Sequence, residues 1–176
     1  LHFAVKLKIF FRYFWEKSVM KITLLVVGKT SDAYLEEGIG IYEKRLPHYV
    51  PFRIQVIPPV KNAAAYDREK LKEKEGELIL KNIQAADYVV LLDEVGKQLT
   101  SVGLADWTGK CLSNGVNHLV FIIGGAFGVS EQIKNRSSFQ LALSQMTFSH
   151  QMVRLIFVEQ LYRAMTILKN ESYHHI

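Results

Sequence analysis

Two apolar runs restrict the fold more than anything else in the chain: YVVLL at residues 88–92 and HLVFII at residues 118–123. Neither run alternates between apolar and polar side chains. Each therefore reads as a strand covered on both faces, the usual situation in a parallel sheet. Segments of helical period separate these runs from each other and from two further strand-like stretches, KITLLVV at 21–27 and FRIQVI at 52–57. Strand and helix in regular alternation, joined by short connections, predict an α/β fold: a mainly parallel sheet with helices on both faces, in a single domain.

The helices are read from their caps and spacing. Ser31 and Asp32 precede Tyr34, Leu35, Ile39, Tyr42 and Leu46 at helical intervals, and Pro58-Pro59 closes the second strand. Residues 66–81 are mostly charged, with one narrow stripe of Leu71, Leu78 and Ile79, and predict a surface helix without chemistry of its own. Gly76 costs that helix about 1 kcal/mol relative to alanine. Ser101 is expected to cap a helix that ends at the Asn114-Gly115 turn, and Ser130 to cap a short one before a fifth strand at 139–143. The last helix, about 149–169, carries two apolar sectors. Met152, Ile156 and Met165 form one and Phe157, Leu161 and Leu168 the other, which predicts burial against the sheet and against a second subunit in a homodimer.

Composition excludes several classes. The single cysteine, Cys111, rules out an internal disulfide framework and a multi-thiolate zinc site, fits cytoplasmic residence, and falls where a small buried side chain is expected. Of the formal charge of +5, most resides in residues 1–19, so the rest of the chain is nearly neutral and total charge is weak evidence for a nucleic-acid partner. Residues 1–19 are aromatic and basic, too interrupted by charge to span a membrane and without the pattern of a secretory signal. They are expected to be an extension ahead of a self-contained domain, residues 20–176, with an interfacial helix as the alternative.

The chemistry is expected along residues 121–154. There a strand breaks at Gly124, Gly125 and Gly128, and a polar stretch follows at 144–151. Glycines after a strand expose backbone amides at the carboxyl edge of a sheet, where open α/β folds bind ligands. Asp93 and Glu94 end another strand, and His150, Arg154, Glu159 and Arg163 share one edge of the last helix. By spacing alone, Glu159 and Arg163 are equally an ordinary ion pair. No HExxH, no GxSxG and no complete phosphate-binding glycine loop occurs, so zinc hydrolysis, serine catalysis and P-loop chemistry are not indicated; no metal is expected.

The same residues resemble a known family. MKITLLVVGK at 20–29, YEKRL at 42–46, KEGE at 74–77, FIIGGAFG at 121–128, LALSQMTFSHQMVR at 141–154, EQLYRA at 159–164 and the Tyr173-His174 pair are similar, in order and spacing, to RlmH, a branch of the SPOUT methyltransferases. The resemblance covers about 155 residues. It implies a parallel α/β sheet with a carboxyl-terminal trefoil knot, S-adenosyl-L-methionine as cofactor, and a homodimer that completes the site. The implied reaction is methylation of N3 of a pseudouridine in large-subunit ribosomal RNA on the assembled ribosome.

Carried over by position, the family's cofactor contacts fall on Leu92, Gly124 and Gly125, and on Leu143, Ser144, Gln145, Met146, Thr147 and Phe148. His150, Arg154, Glu159, Arg163, Tyr173 and His174 are the matched polar residues expected beside the target nucleotide. His150 or His174 is assigned to proton handling, Arg154 and Arg163 to phosphate or uracil oxygens, and Tyr173 to stacking. Two positions depart from the family pattern: Ser149 stands where proline is usual, and His175 where a terminal Arg or Lys is usual. Competing functions are a non-catalytic ribosome-binding module and a methyltransferase for another RNA or a small molecule.

Overall fold

A computed structural model describes residues 20–173. The extension at 1–19, and His174 and His175, lie outside the described residues. Five strands form one sheet: β1 (Lys21–Val27), β2 (Phe52–Ile57), β3 (Tyr88–Gln98), β4 (His118–Ile123) and β5 (Phe139–Ala142). Their order is β2-β1-β4-β3-β5, and each adjacent pair is parallel, as the uninterrupted apolar runs require. The helices are α1 (Ala33–Arg45), α2 (Arg68–Leu80), α3 (Ser101–Ser113), α4 (Glu131–Arg136) and α5 (Met152–Leu168).

Side chains alternate along each strand between two cores. Ile22, Leu24 and Val26 of β1 meet Phe121 and Ile123 of β4 on the face covered by α1, α3 and α5. Leu25, Val89, Leu91, Val120 and Ile122 point the other way, toward Ile79 of α2 and Ile133 of α4. Cys111 is buried within the first core, and burial pushes its thiol up to about 11. Two helix starts differ from expectation by one residue or in mechanism. Thr100, not Ser101, caps α3 by accepting from Gly103 N at 3.0 Å, while Ser130 precedes α4 without capping it through its side chain.

The helix α5 lies on the sheet between α1 and α3, and neighbours in the same chain bury Phe157 and Leu161 completely. Of the other apolar sector, Met165 is equally buried, while Met152 and Ile156 remain half-buried.

β3 is also longer than its apolar run. After Leu92 the strand bulges and resumes, so Leu141 of β5 pairs first with Leu92 and again with Lys97, and Ala142 pairs with Gln98. Gly96 permits the return: a Cβ there would lie 2.7 Å from the backbone carbon of Gln140. Asp93 and Glu94 belong to this excursion rather than to a terminal loop.

Candidate active site

β4 and β5 flank β3, so the loops leaving their carboxyl ends stand on either side of the β3 bulge. Between them opens a cleft of about 620 Å³. Its floor is Leu92, Ile123 and Leu141, one residue from each of the three strands. One wall is the glycine turn after β4, where Gly128 adopts a φ of +86° that favours glycine. Gly124 is packed against that turn so closely that a Cβ would meet Gly128 O at 2.7 Å. The opposite wall is the loop after β5.

Of the nine residues expected to hold a cofactor, eight line this cleft: Leu92, Gly124, Gly125, Leu143, Ser144, Met146, Thr147 and Phe148. Gln145 is exposed and does not line it. The loop after β5 has no regular structure, yet it is tied down at three points. Ser144 Oγ accepts from Met146 N at 2.9 Å, Thr147 Oγ1 donates to Glu94 Oε2 at 2.5 Å, and Ser149 Oγ accepts from Met152 N at 3.1 Å. Serine at 149 thus performs a helix-start role through its side chain, where proline would act through its fixed φ.

His150 reaches the cleft from the start of α5. Burial, and then the charge of Arg154, push its pKa below the usual 6.5, so its ring is neutral at pH 7. Arg154 itself sits apart from the cleft surface. It is 1% exposed, and its guanidinium donates to Val27 O (2.7 Å), Gly28 O (2.9 Å), Thr30 Oγ1 (3.1 Å) and His150 O (3.1 Å). Spacing grouped Arg154 with His150, but His150 precedes α5 and Arg154 meets only its backbone carbonyl. Nor could spacing show that the end of β1 would receive the guanidinium.

Glu159, Arg163 and Tyr173 form a second cluster. Arg163 donates to Glu159 Oε1 through Nη2 at 2.6 Å and Nε at 3.1 Å, and its guanidinium stacks on the Tyr173 ring at 4.8 Å. Tyr173 also donates to Glu159 Oε1 at 3.2 Å. Val153, at the cleft, precedes Arg163 by ten residues, about 15 Å along the helix axis. Within one chain the expected polar residues are therefore divided between two places.

The charged helix α2 was the main omission. Arg68, Glu69 and Lys72 rim the cleft, Arg68 lies 5.2 Å over the exposed Phe127 ring, and Lys134 of α4 completes that edge. The available signal was Gly76, a helix-interior glycine with a cost and no evident reason. Its reason is close packing: a Cβ on Gly76 would strike Ser130 Oγ.

Residues 20–174 match the family model described as predicted SPOUT methyltransferase. The chain is similar to the ribosomal RNA large subunit methyltransferase H of Parabacteroides distasonis, 53% identical over 156 residues that cover 89% of this chain and 99% of that protein. Proteins of the same description from Christiangramia forsetii and Cytophaga hutchinsonii are 51% and 47% identical, with 89% of this chain covered in each case and 99% and 100% of theirs. On both the family model and these relatives, the chain belongs to the SPOUT methyltransferases, in the branch of ribosomal RNA large subunit methyltransferase H.

Proposed function

We propose that the protein transfers a methyl group from S-adenosyl-L-methionine to N3 of a pseudouridine in large-subunit ribosomal RNA, on the assembled ribosome in the cytoplasm. The observation that carries this reading is the cleft at the ends of β3, β4 and β5. Its volume of about 620 Å³ suits a nucleoside-sized ligand. The donor set fits this cofactor as well. Leu92, Ile123, Leu141 and Phe148 offer apolar walls for an adenine, the irregular backbone of 143–148 offers amides and carbonyls, and Asp93 and Glu94 set negative charge at the mouth. When bound, the cofactor supplies an electrophilic methyl group on a positively charged sulfur.

The chain's own task is alignment and proton removal. The neutral His150 accepts the N3 proton of the nucleotide, with His174 as the other candidate. Arg154 holds the His150 backbone to the end of β1 and so positions the base. Arg163 lies too far along α5 to serve the cleft of its own chain, and Glu159 and Tyr173 are tied into its cluster, which supports a homodimer in which each copy completes the other's site. A trefoil knot, formed as β5 returns beside β3, belongs to the same reading.

A nearly neutral domain suits a preassembled ribosomal surface better than capture of free RNA by charge. Purified protein incubated with ribosomes and methyl-labelled cofactor should place label on a pseudouridine. Ribosomal RNA whose pseudouridines remain unlabelled would overturn the assignment.

A further inference from the structure

Glu75 is a carboxylate that neither the fold nor the mechanism above accounts for. It sits in α2 at 9% exposure and makes no hydrogen bond or ion pair among the described residues. Its side chain presses on the glycine turn: a Cβ on Gly125 would lie 2.5 Å from Glu75 Oε2 and 2.8 Å from Oε1. Gly125 itself lines the cleft, and Glu75 does not. The carboxylate therefore stands one backbone thickness behind the ligand space. Gly76 allows α2 to come this close, against a Ser130 hydroxyl that is itself buried and unpartnered.

Burial raises the Glu75 carboxyl pKa, as expected when the charged form lacks partners. An ion in this position costs stability unless opposite charge arrives nearby. Asp93 and Glu94 also face the cleft, but water reaches them and screens them more. Arg68, Lys72 and Lys134 lie on the cleft rim. Lys72 and Lys134 are already paired, with Glu69 and Glu131.

We propose that Glu75 determines charge specificity: acting through Gly125, it favours a cationic occupant of the cleft over a neutral one of the same shape. The proposal rests on the methyltransferase reading, in which the sulfonium substrate is a cation at sulfur and the thioether product is neutral there. Loss of the methyl group then loosens the hold of the cleft on the spent nucleoside. Glu75 touches neither reactant and is a specificity residue, not a catalytic one.

The test is calorimetric titration of the full chain with S-adenosyl-L-methionine and, separately, S-adenosyl-L-homocysteine. Glu75→Gln should weaken the sulfonium ligand roughly tenfold while leaving the thioether within about a factor of two, as expected for one lost charge interaction at short range. Glu75→Asp should largely retain the preference. Should Glu75→Gln fold poorly, Glu75→Met, neutral and of similar volume, replaces it. Parallel weakening of both ligands would show a purely structural prop and overturn the proposal, as would unchanged affinities. Failure of the unmodified chain to bind either ligand would overturn the cofactor reading itself, and this proposal with it.

Discussion

Arg154 shows how a residue picked out for chemistry can serve geometry. Its side chain gathers carbonyls of Val27, Gly28 and His150 and the Thr30 hydroxyl, so truncation leaves buried acceptors without donors. Arg154→Ala should cost about 3 kcal/mol in a denaturant unfolding experiment. Arg154→Lys should recover little, because one ammonium cannot reproduce a planar fork. At His150 the depressed pKa sets the direction of two pH effects. The unfolded chain takes up a proton near 6.5 that the folded chain resists, so this contribution to stability is full above pH 6.5 and is lost as pH falls below it. Likewise kcat/KM should fall only below pH 6.5, and His150→Ala should remove that acid limb while lowering kcat by about 10²–10⁴. A limb that persists in the variant would assign proton removal elsewhere. The sequence disclosed both side chains, but not that His150 precedes α5 and that Arg154 turns away from the cleft. It was silent on solvent, because spacing describes a helix and not what packs on it.

At the level of elements, the apolar runs of β3 and β4 and the helix starts expected at Asp32 and Ser130 marked most boundaries within a few residues, although neither side chain makes a capping hydrogen bond. The second half of β3 escaped detection, since VGKQ has neither strand alternation nor an apolar run. It is held in the sheet by the close approach that Gly96 permits. Gly96→Ala should therefore force β5 away and cost about 1–3 kcal/mol, lowering Tm by several degrees in calorimetry. Gly40, where an added Cβ meets nothing, is the control. Its replacement by alanine should raise helix stability slightly. For α2, the narrow stripe indicated a surface helix with Leu71 and Ile79 turned inward, but not that Glu75 would be buried between them while Leu78 is only half-buried.

For the molecule as a whole, the proposed cleft lies at the carboxyl edge of the sheet, and polar side chains tie the amino edge together. At the amino edge, His118 bridges Asp87 (2.7 Å) and Thr23 (2.9 Å), and Arg53 donates to the same Thr23 hydroxyl. None of these four residues lines the cleft at the carboxyl edge. At the carboxyl edge, separation of His150 from Arg163 within one chain makes the dimer testable by mixing. His150→Ala and Arg163→Ala proteins, each inactive alone, should regain about a quarter of full activity when their subunits exchange, because one site per mixed dimer is intact. No recovery would confine each site to a single chain. The parallel direction of the strands was readable from residues 20–143, whereas their order in the sheet was not, since an alternation of strand and helix fits several sheet orders.

The double pairing of Leu141 acts as a ruler. Residues 93–96 form the excursion between its two partners, and their number fixes how far Asp93 and Glu94 rise above the sheet and whether Lys97 returns in phase. Deleting one of these residues leaves every cleft side chain chemically intact except the one removed. It nevertheless reverses the faces of Lys97 and Gln98, because strand side chains alternate with period two. Loops elsewhere tolerate changes of length. Here length is itself the encoded quantity, and residues 93–95 can exchange their identities far more freely than the excursion can change its count, while Gly96 is held to glycine by β5.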